Sequence, residues 1–314
     1  MESPNQTSVS EFIFLAFSKK STKYPIFFIT IFLLLFSVII CGNLLMILVI
    51  KCDARLHTPM YFFVFSLSCL DICYITTIVP QALHNLMSIK SSIFYLNCAF
   101  QMFFSNTFGA VQIMIITVMA YDRYIAISNP LRYKTIMSWA ACSVFLGIAW
   151  IIGIIIGFLV VFSVFTLPFC CRVEIEHFYC DVGQIMALSS ADEFRLFIAG
   201  AVTFLTGIFF FSIPFILLVI SYAYIISAVL KIRTSQGRRK AFSTCSSHLT
   251  VVVVEYACLG FIYFRPREAY TLDKDNVFVL IFTFTTPILN PVIYTLRNKA
   301  IKKGFFKLTS TKLC

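Results

Sequence analysis

The stretch Pro25–Ile50 reads PIFFITIFLLLFSVIICGNLLMILVI and contains no charged residue over 26 consecutive positions. A helix of about 20 apolar residues is long enough to cross the hydrocarbon core of a bilayer. Because lipid offers no hydrogen-bond partners, only helices and closed barrels satisfy their backbone groups there. The stretch therefore predicts a transmembrane helix.

Six further apolar stretches of spanning length follow it. The seven predicted helices are Pro25–Ile50, Pro59–Leu83, Leu96–Ile127, Ala141–Phe165, Leu196–Leu230, Ala241–Tyr263 and Val277–Leu296. Of the 314 residues, 60% are hydrophobic and 12% are charged, whereas soluble domains carry about 25% charged residues. We therefore exclude a soluble domain. We predict an all-α membrane protein, a seven-transmembrane helix bundle at 25–296 within a single domain over 1–314.

The distribution of charge predicts the orientation. With the N-terminus outside, 16 basic and two acidic residues lie on the cytoplasmic side, against nine basic and ten acidic residues on the outer side. Cytoplasmic loops are enriched in lysine and arginine. We therefore predict a multi-pass plasma-membrane protein with residues 1–24 extracellular and the tail 297–314 cytoplasmic. Asn5-Gln6-Thr7 is a glycosylation acceptor pattern, which predicts a sugar at Asn5. Because the basic residues flank spans, we expect no nucleic-acid partner.

Four of the 12 cysteines lie at the outer face, at positions 98, 170, 171 and 180. That face matures in an oxidising compartment. A disulfide between Cys98, at the start of the third helix, and Cys180 would hold the following outer loop over the mouth of the bundle. Metal binding is the alternative, but the cysteines lack histidines at the spacing of metal sites. We expect the disulfide, and no metal or cofactor.

Transporters, channels and intramembrane enzymes also use several spans. A transporter usually has paired inverted halves or several ionisable residues along a path, whereas Asp71 and Glu255 are two isolated acids and do not make a path. The chain contains no Gly-x-Ser-x-Gly or His-Glu-x-x-His motif and no paired catalytic aspartates. We therefore do not expect an enzyme.

Short motifs narrow the class further. In chain order they are Gly42-Asn43, Leu56–Phe63 (LHTPMYFF), Met119–Ile127 (MAYDRYIAI), Trp150, Ser221-Tyr222, Lys240–Leu249 (KAFSTCSSHL) and Pro287–Tyr294 (PILNPVIY). This ordered set covers essentially the whole chain and closely resembles the tetrapod olfactory receptors of the rhodopsin-like (class A) G-protein-coupled family.

The resemblance implies an odorant receptor. Such a receptor binds small volatile organic ligands and activates a heterotrimeric stimulatory olfactory-type G protein, which raises cyclic AMP. Two alternatives stay open: a class A receptor for a non-odorant small molecule, and a multi-span channel or transporter.

The resemblance also implies a ligand site in the outer half of the bundle, between the third, fifth, sixth and seventh helices. Its lining is mostly apolar with a few hydroxyl groups and one amide, which suits a small, weakly polar ligand. The implied residues are Phe104, Ser105, Asn106, Gly109, Ala110, Thr203, Thr206, Gly207, Glu255, Tyr256, Leu259, Gly260, Tyr263, Val279 and Thr283. Glu255 is either a ligand anchor or an acid paired inside the bundle. The third helix has no aspartate near Ser105, so a biogenic amine is not expected.

A second set of residues, on the cytoplasmic side, matches the residues that change contacts in the same family when the bundle opens. Arg123 pairs with Asp122 in the closed bundle, and on opening reaches towards Tyr222 and a G protein. Prolines remove a backbone donor and bend a helix, which makes the seventh helix a pivot. The implied switch residues are Asp122, Arg123, Tyr124, Tyr222, Arg239, Lys240, Asn290, Pro291 and Tyr294.

Asp71 is a carboxylate within the second span, where a charge costs about 2.5–3.5 kcal/mol. We expect a polar network of Asp71 with Asn43, Gln112 and Asn290. In the family, a glutamate commonly stands at the position of Gln112 and helps the aspartate to hold sodium. With one ligand charge missing, we do not expect tight sodium binding here.

Two further features concern the outer loop and the tail. The family often has a third loop cysteine where this chain has Ser190, so Cys170 lacks its usual partner and Cys171 is additional.

After Asn298, the stretch from Lys299 to Lys307 mixes cations with aromatic residues. This mixture predicts a short C-terminal interfacial helix lying on membrane lipid.

Overall fold

Seven long helices dominate the chain. The computed structural model describes residues 9–15, 25–171, 173–232, 234–263, 272–297 and 301–305. The long helices are α1 (Pro25–Cys52), α2 (Pro59–Met87), α3 (Tyr95–Ser128), α5 (Trp139–Phe165), α7 (Glu193–Leu230), α8 (Ser235–Tyr263) and α9 (Leu272–Arg297). Two short helices lie in the connections, α4 (Tyr133–Ile136) and α6 (Val182–Ala187).

The seven long helices confirm the predicted bundle. Five of them are long and apolar enough throughout to cross a membrane, while α8 and α9 carry shorter apolar stretches at His248–Cys258 and Val279–Thr295. Most observed ends lie within a few residues of the predicted ones. The largest difference is at α8, which begins at Ser235 instead of Ala241. Its polar first turns continue the helix beyond the apolar stretch, where hydropathy gives no signal.

Polar residues fix the starts of several helices. Asp192 accepts a hydrogen bond from the Arg195 backbone N–H at the start of α7, and Ser138 accepts one from Ala141 at the start of α5. Such caps satisfy N–H groups that have no partner within the helix. Proline stands at the first position of α2, where its missing N–H costs nothing.

Helix α3 is the central element, and α5 approaches it closely through two glycines. A Cβ atom on Gly153 would lie 2.9 Å from the Thr107 carbonyl oxygen. One on Gly157 would overlap the Thr107 hydroxyl and lie 2.9 Å from the Phe103 carbonyl oxygen. Small residues allow membrane helices to pack backbone against backbone. The close contact between α3 and α5 therefore depends on glycine, which has no side chain, at both positions.

A small sheet at the outer face was not predicted from the sequence. Strand β1 (Glu11–Phe14) pairs antiparallel with β2 (Ser92–Phe94) and parallel with β3 (Glu174–Ile175). The side chains of Phe12 and Phe14 are fully buried beneath it. Lys90 Nζ lies 2.6 Å from Glu11 Oε2, and this contact lowers the pKa of the Glu11 carboxyl. Part of the N-terminal segment is therefore a structural element of the outer face, added to the helical bundle.

The outer loop also contains two adjacent free thiols, Cys170 and Cys171. Ser190, which stands where the family often has cysteine, donates from its backbone N–H to the Pro168 carbonyl. Hydrogen bonds from Ser190 and then Cys171 lower the pKa of the Cys170 thiol, whereas the hydrogen bond with Cys170 raises the pKa of the Cys171 thiol. The two neighbouring thiols therefore differ in acidity.

The glycine contact predicts that Gly157→Ala destabilises the bundle, because a methyl group at this position overlaps α3. Overpacking of this kind typically costs about 1–3 kcal/mol. Gly147→Ala in the same helix is the matched control, since no atom of the described residues lies within 4 Å of its Cβ position. Thermal unfolding of the detergent-purified protein measures both. Equal melting temperatures for the two variants would show that the close approach is absent.

The thiol pair predicts that Cys170 reacts with a maleimide at lower pH than Cys171, because the thiolate is the nucleophile. A lowered pKa populates the Cys170 thiolate at lower pH. Peptide mass spectrometry of the purified protein, labelled across a pH series, measures each site separately. We expect Ser190→Ala to move the pH dependence of Cys170 labelling to higher pH. The control Ser189→Ala, at the neighbouring position, should leave that pH dependence unchanged. Faster labelling of Cys171 at low pH contradicts the assignment.

Candidate functional site

The outer loop between α5 and α7 covers one end of the bundle. The predicted Cys98–Cys180 disulfide is present, with a Cα–Cα distance of 5.6 Å. Gln101 of α3 adds two bonds: its Oε1 accepts from the Cys180 N–H at 2.9 Å, and its Nε2 donates to the Thr77 carbonyl at 3.0 Å. The loop is therefore tied to both α3 and α2.

The face of α3 that points to α8 is marked by Ile116, whose carbonyl accepts a hydrogen bond from His248 Nε2 at 3.1 Å. Ser105 and Gly109 precede Ile116 by 11 and 7 residues, close to whole turns of a helix with about 3.6 residues per turn. They therefore lie on the same face. By the same spacing, Asn106 lies about three helical turns before Thr117, which is buried in α3.

Phe104 does not lie on this face, and its role as a ligand residue stays a prediction. Its ring is 42% exposed and stacks on Phe108 at a centroid distance of 5.6 Å. Phe108 in turn contacts Trp150 of α5 at 6.1 Å. One residue of a helix corresponds to a rotation of about 100°, and this step turns Phe104 outward while Ser105 points inward. Ala110 is buried.

Helices α7 and α8 provide the opposite wall. Thr203, Gly207 and Phe211 follow one another at intervals of four residues on α7, with the half-buried Thr206 beside them. The Phe211 ring lies 5.2 Å from the ring of Tyr256. At the other end of this row, the Thr203 hydroxyl lies 3.8 Å from Met186 Sδ of α6.

Three glycines from three helices border open space beside these walls. A Cβ atom on Gly109, Gly207 or Gly260 would meet no atom of the described residues within 4 Å. Gly260 follows Tyr256 by one helical turn. Along their helices, these three glycines therefore lie between the level of the Phe211–Tyr256 contact and the outer loop.

Helix α9 contributes Val279 and Thr283, which precede Asn290 by 11 and 7 residues. They share the inward face of Asn290, and Thr283 is almost completely buried. The side chains of Leu259, Tyr263 and Lys240, and the whole of Asn5, lie outside the described residues. Arg239 is exposed at the start of α8.

A buried polar network lies at mid-depth. Asn290 Nδ2 donates to Asp71 Oδ2 at 2.9 Å, and Gln112 Nε2 lies 3.5 Å from Asp71 Oδ1. Asn43 was expected beside Asp71, but it donates instead to the Pro287 carbonyl at 3.1 Å. Pro291 has no N–H to donate to that carbonyl four residues earlier. Asn43 on α1 therefore supplies the hydrogen bond that the kinked helix α9 lacks.

Glu255 is buried in α8. Its carboxyl lies beside Thr286 of α9 and within electrostatic range of Asp71. Of the two roles considered for this residue, this position favours the acid paired inside the bundle.

Asp122 is completely buried near the C-terminal end of α3, the end predicted to be cytoplasmic. Its Oδ2 lies 2.9 Å from Arg123 Nη2, and its Oδ1 accepts a hydrogen bond from the Tyr133 hydroxyl at 2.7 Å. Burial and then Asp122 raise the pKa of the Tyr133 hydroxyl, so the phenol stays protonated as a donor. Tyr133 was not identified from the sequence, because a lone tyrosine in a short loop helix carries no signal.

His248 joins three helices. The Ile116 carbonyl can only accept, so His248 Nε2 carries the proton and Nδ1 accepts from the Tyr222 hydroxyl at 2.6 Å. Arg123 is predicted to reach Tyr222 only when the bundle opens; here, with Arg123 paired to Asp122, Tyr222 is bonded to His248. We call these three residues the cytoplasmic latch: Tyr222, His248 and Ile116. His248 lies within the motif Lys240–Leu249, but the motif alone does not indicate its role.

The other switch residues lie nearby. Tyr124 packs against the ring of Tyr224 in α7 at 5.6 Å. The hydroxyl of Tyr294 is buried and has no hydrogen-bond partner within the described part of the chain. Asn290 and Pro291 are both buried in α9.

Comparison with known proteins identifies the family. A family profile described as "Olfactory receptor" matches residues 32–312. Human olfactory receptor 10Q1 is 42% identical over 299 residues, which cover 95% of this chain and 92% of that protein. Human olfactory receptor 10K1 is 43% identical over 304 residues, covering 97% and 96%. Mouse olfactory receptor 1M1 is 40% identical over 318 residues, covering 100% and 99%. The chain belongs to the olfactory receptor family: it is a seven-transmembrane odorant receptor and not an enzyme.

Proposed function

We propose that this receptor binds a small volatile organic molecule in the outer half of the bundle and activates a stimulatory olfactory-type G protein, which raises cyclic AMP. It does so in the plasma membrane, with its N-terminus outside. One observation carries the proposal. The open space beside Gly109, Gly207 and Gly260 and the cytoplasmic latch are built on the same three helices, α3, α7 and α8.

The proposed ligand residues are those on the inward faces of four helices. They include the glycines and the polar side chains, and exclude Phe104. They are Ser105, Asn106, Gly109, Ala110, Thr203, Thr206, Gly207, Tyr256, Gly260, Val279 and Thr283, with Leu259 and Tyr263 added by resemblance to the family. Glu255 acts as a network acid between α8 and α9.

The mechanism is a population shift between a closed and an open bundle. A ligand shifts such an equilibrium only by its differential affinity for the two states. When α8 moves away from α3 at the cytoplasmic end, His248 loses the Ile116 carbonyl and releases Tyr222. Arg123 then leaves Asp122, and its guanidinium group becomes available to the G protein.

The cytoplasmic ends provide the surface for the partner and for lipid. Arg239 and Lys240 at the start of α8 add positive charge beside Arg123. The helical segment 301–305 packs on the end of α1, where a Cβ atom on Gly304 would lie 2.9 Å from Val49 Cγ1. Ile301 is buried, whereas Lys302 and Lys303 are exposed. This arrangement supports contact of the two lysines with anionic headgroups.

A cyclic AMP reporter assay with an odorant panel tests the proposed function. Cells that display the receptor should respond to at least one odorant, and Arg123→Ala should abolish that response at equal surface expression. The arginine is expected to contact the G protein only in the open state, so its removal leaves ligand binding intact. A ligand-dependent ion current that persists without G protein would favour a channel instead.

The bond between Tyr133 and Asp122 makes a separate prediction about basal activity. A hydrogen bond to a charged group contributes about 1.5–3 kcal/mol, and here it stabilises the closed state. Tyr133→Phe keeps the ring and removes the hydroxyl, so ligand-free cyclic AMP should rise several-fold. Tyr224→Phe is the control, because that tyrosine is 58% exposed on α7. Unchanged basal activity in Tyr133→Phe would mean that the bond does not hold the closed state.

A further inference from the structure

The side chain of Phe178 is buried between three helices, although the residue belongs to the outer loop. Phe178 is 1% exposed and lies in an apolar cluster with residues of α1, α2 and α9. Its ring meets the ring of Phe32 on α1 edge to face at a centroid distance of 6.3 Å. Phe32 meets the ring of Phe284 on α9 in the same way at 5.4 Å. From α2, Ile75 and Ile78 belong to this group and are fully buried. We call the group the Phe178 cluster.

The outer loop holds Phe178 from both sides along the chain. Two residues later, Cys180 carries the disulfide to α3 and donates its N–H to Gln101 at 2.9 Å. Three residues earlier, the Ile175 carbonyl in β3 accepts a hydrogen bond from the Leu15 N–H at 2.9 Å. Because both anchors are so close, the segment between them has little freedom to withdraw the ring. Phe178 is therefore a fixed part of the cluster.

The Phe178 cluster adjoins the proposed ligand site at α9. Val279, one of the proposed ligand residues, packs against the cluster. Thr283, another of them, directly precedes Phe284 in the chain. The open space beside the three glycines belongs instead to α3, α7 and α8. The outer half of the bundle therefore has an open part and, next to α9, a part that the Phe178 ring fills.

The physical chemistry of the filled part decides what it can hold. Protein interiors are closely packed, so a second group cannot enter while the ring is in place. Displacing the ring would return a large apolar side chain to water, which is unfavourable. Without the ring, the space would be an apolar cavity, and such cavities stay dry and bind small apolar molecules such as benzene. The part beside α9 is therefore an apolar subsite with an occupant from the protein itself.

We propose that Phe178 determines the length of the ligands that this receptor accepts. Its ring occupies an apolar subsite between α1, α2 and α9 that has the shape of a phenyl group and would otherwise take part of a longer ligand. Ligands are thereby confined to the open space between α3, α7 and α8. This inference rests on the proposed function of the site.

The first test measures ligand length in the cyclic AMP assay. Straight-chain alcohols, aldehydes and esters of increasing length are applied to the wild type and to Phe178→Ala. We expect the most potent member of an active series to be longer in the variant. Each further buried methylene group raises affinity about fourfold, so two of them should lower the EC50 of the longer homologue about tenfold or more. An unchanged optimum in a variant that reaches the cell surface overturns the proposal.

The matched control is Phe12→Ala. Phe12 is also a fully buried phenylalanine at the outer face, but its cluster contains residues of α3, α5 and the outer loop and no described residue of α1, α2 or α9. Removing its ring should leave the preferred ligand length unchanged. An equal change of length in both variants would mean that general loosening of the outer face, and not the Phe178 subsite, sets the limit.

The second test measures the subsite directly, with toluene as the probe and the thermal stability of the purified receptor as the readout. Toluene should raise the melting temperature of Phe178→Ala by several degrees more than that of the wild type, because it replaces the missing ring. If Phe178→Ala does not fold, Phe178→Leu takes its place, since leucine keeps most of the apolar contact and leaves a smaller space. That variant should show a smaller shift in ligand length, and no shift would overturn the proposal.

The two tests separate this inference from the proposed function. If the wild type responds to odorants but toluene stabilises Phe178→Ala no more than the wild type, the subsite is absent and the odorant site stands. If no odorant raises cyclic AMP while toluene still stabilises Phe178→Ala selectively, the subsite stands and the proposed function fails.

Discussion

Hydrogen bonding inside the bilayer is the constraint on which the rest of this structure depends. Lipid cannot pair with a backbone or side-chain polar group, so each one must find its partner within the bundle. The kink of α9 illustrates the consequence. Pro291 leaves the Pro287 carbonyl without its usual donor, and Asn43 on α1 supplies the missing hydrogen. A local feature of one helix thus determines which residue must stand on another.

The same constraint explains why the closed bundle is a defined state. His248 is completely buried and bonds to Tyr222 and Ile116, and Asp122 bonds to Arg123 and Tyr133. A buried polar group that loses its partner typically costs about 1–3 kcal/mol. Opening the cytoplasmic end breaks several such bonds together, so it requires new partners. In the proposed mechanism, a ligand between α3, α7 and α8 and a G protein at the other end of these helices supply them from opposite sides.

Sequence alone predicted the seven helices well, because the thickness of the bilayer sets the length of each apolar stretch. It missed features that depend on tertiary contacts. The strand Glu11–Phe14 forms only because β2 and β3 lie beside it, and four residues carry too little pattern to indicate this. Family spacing placed Phe104 at the correct depth, but a single helical step decides whether a residue faces the interior. Asn43 was assigned to the correct region and the wrong partner, since the unpaired carbonyl of α9 becomes apparent only when the helices are packed.

Two residues that differ from those common in the family lie at the centre of the bundle. Where the family commonly has a glutamate, Gln112 points an amide donor at Asp71, and Asn290 points a second one at the other oxygen. Both oxygens of the carboxylate therefore face donors from the protein itself. A second acid, Glu255, stands on α8, next to Thr286 of α9 and near Asp71. Helix α8 also carries His248 of the latch, so one movement of this helix changes the surroundings of both buried groups. The polar centre and the cytoplasmic latch are therefore both anchored on α8.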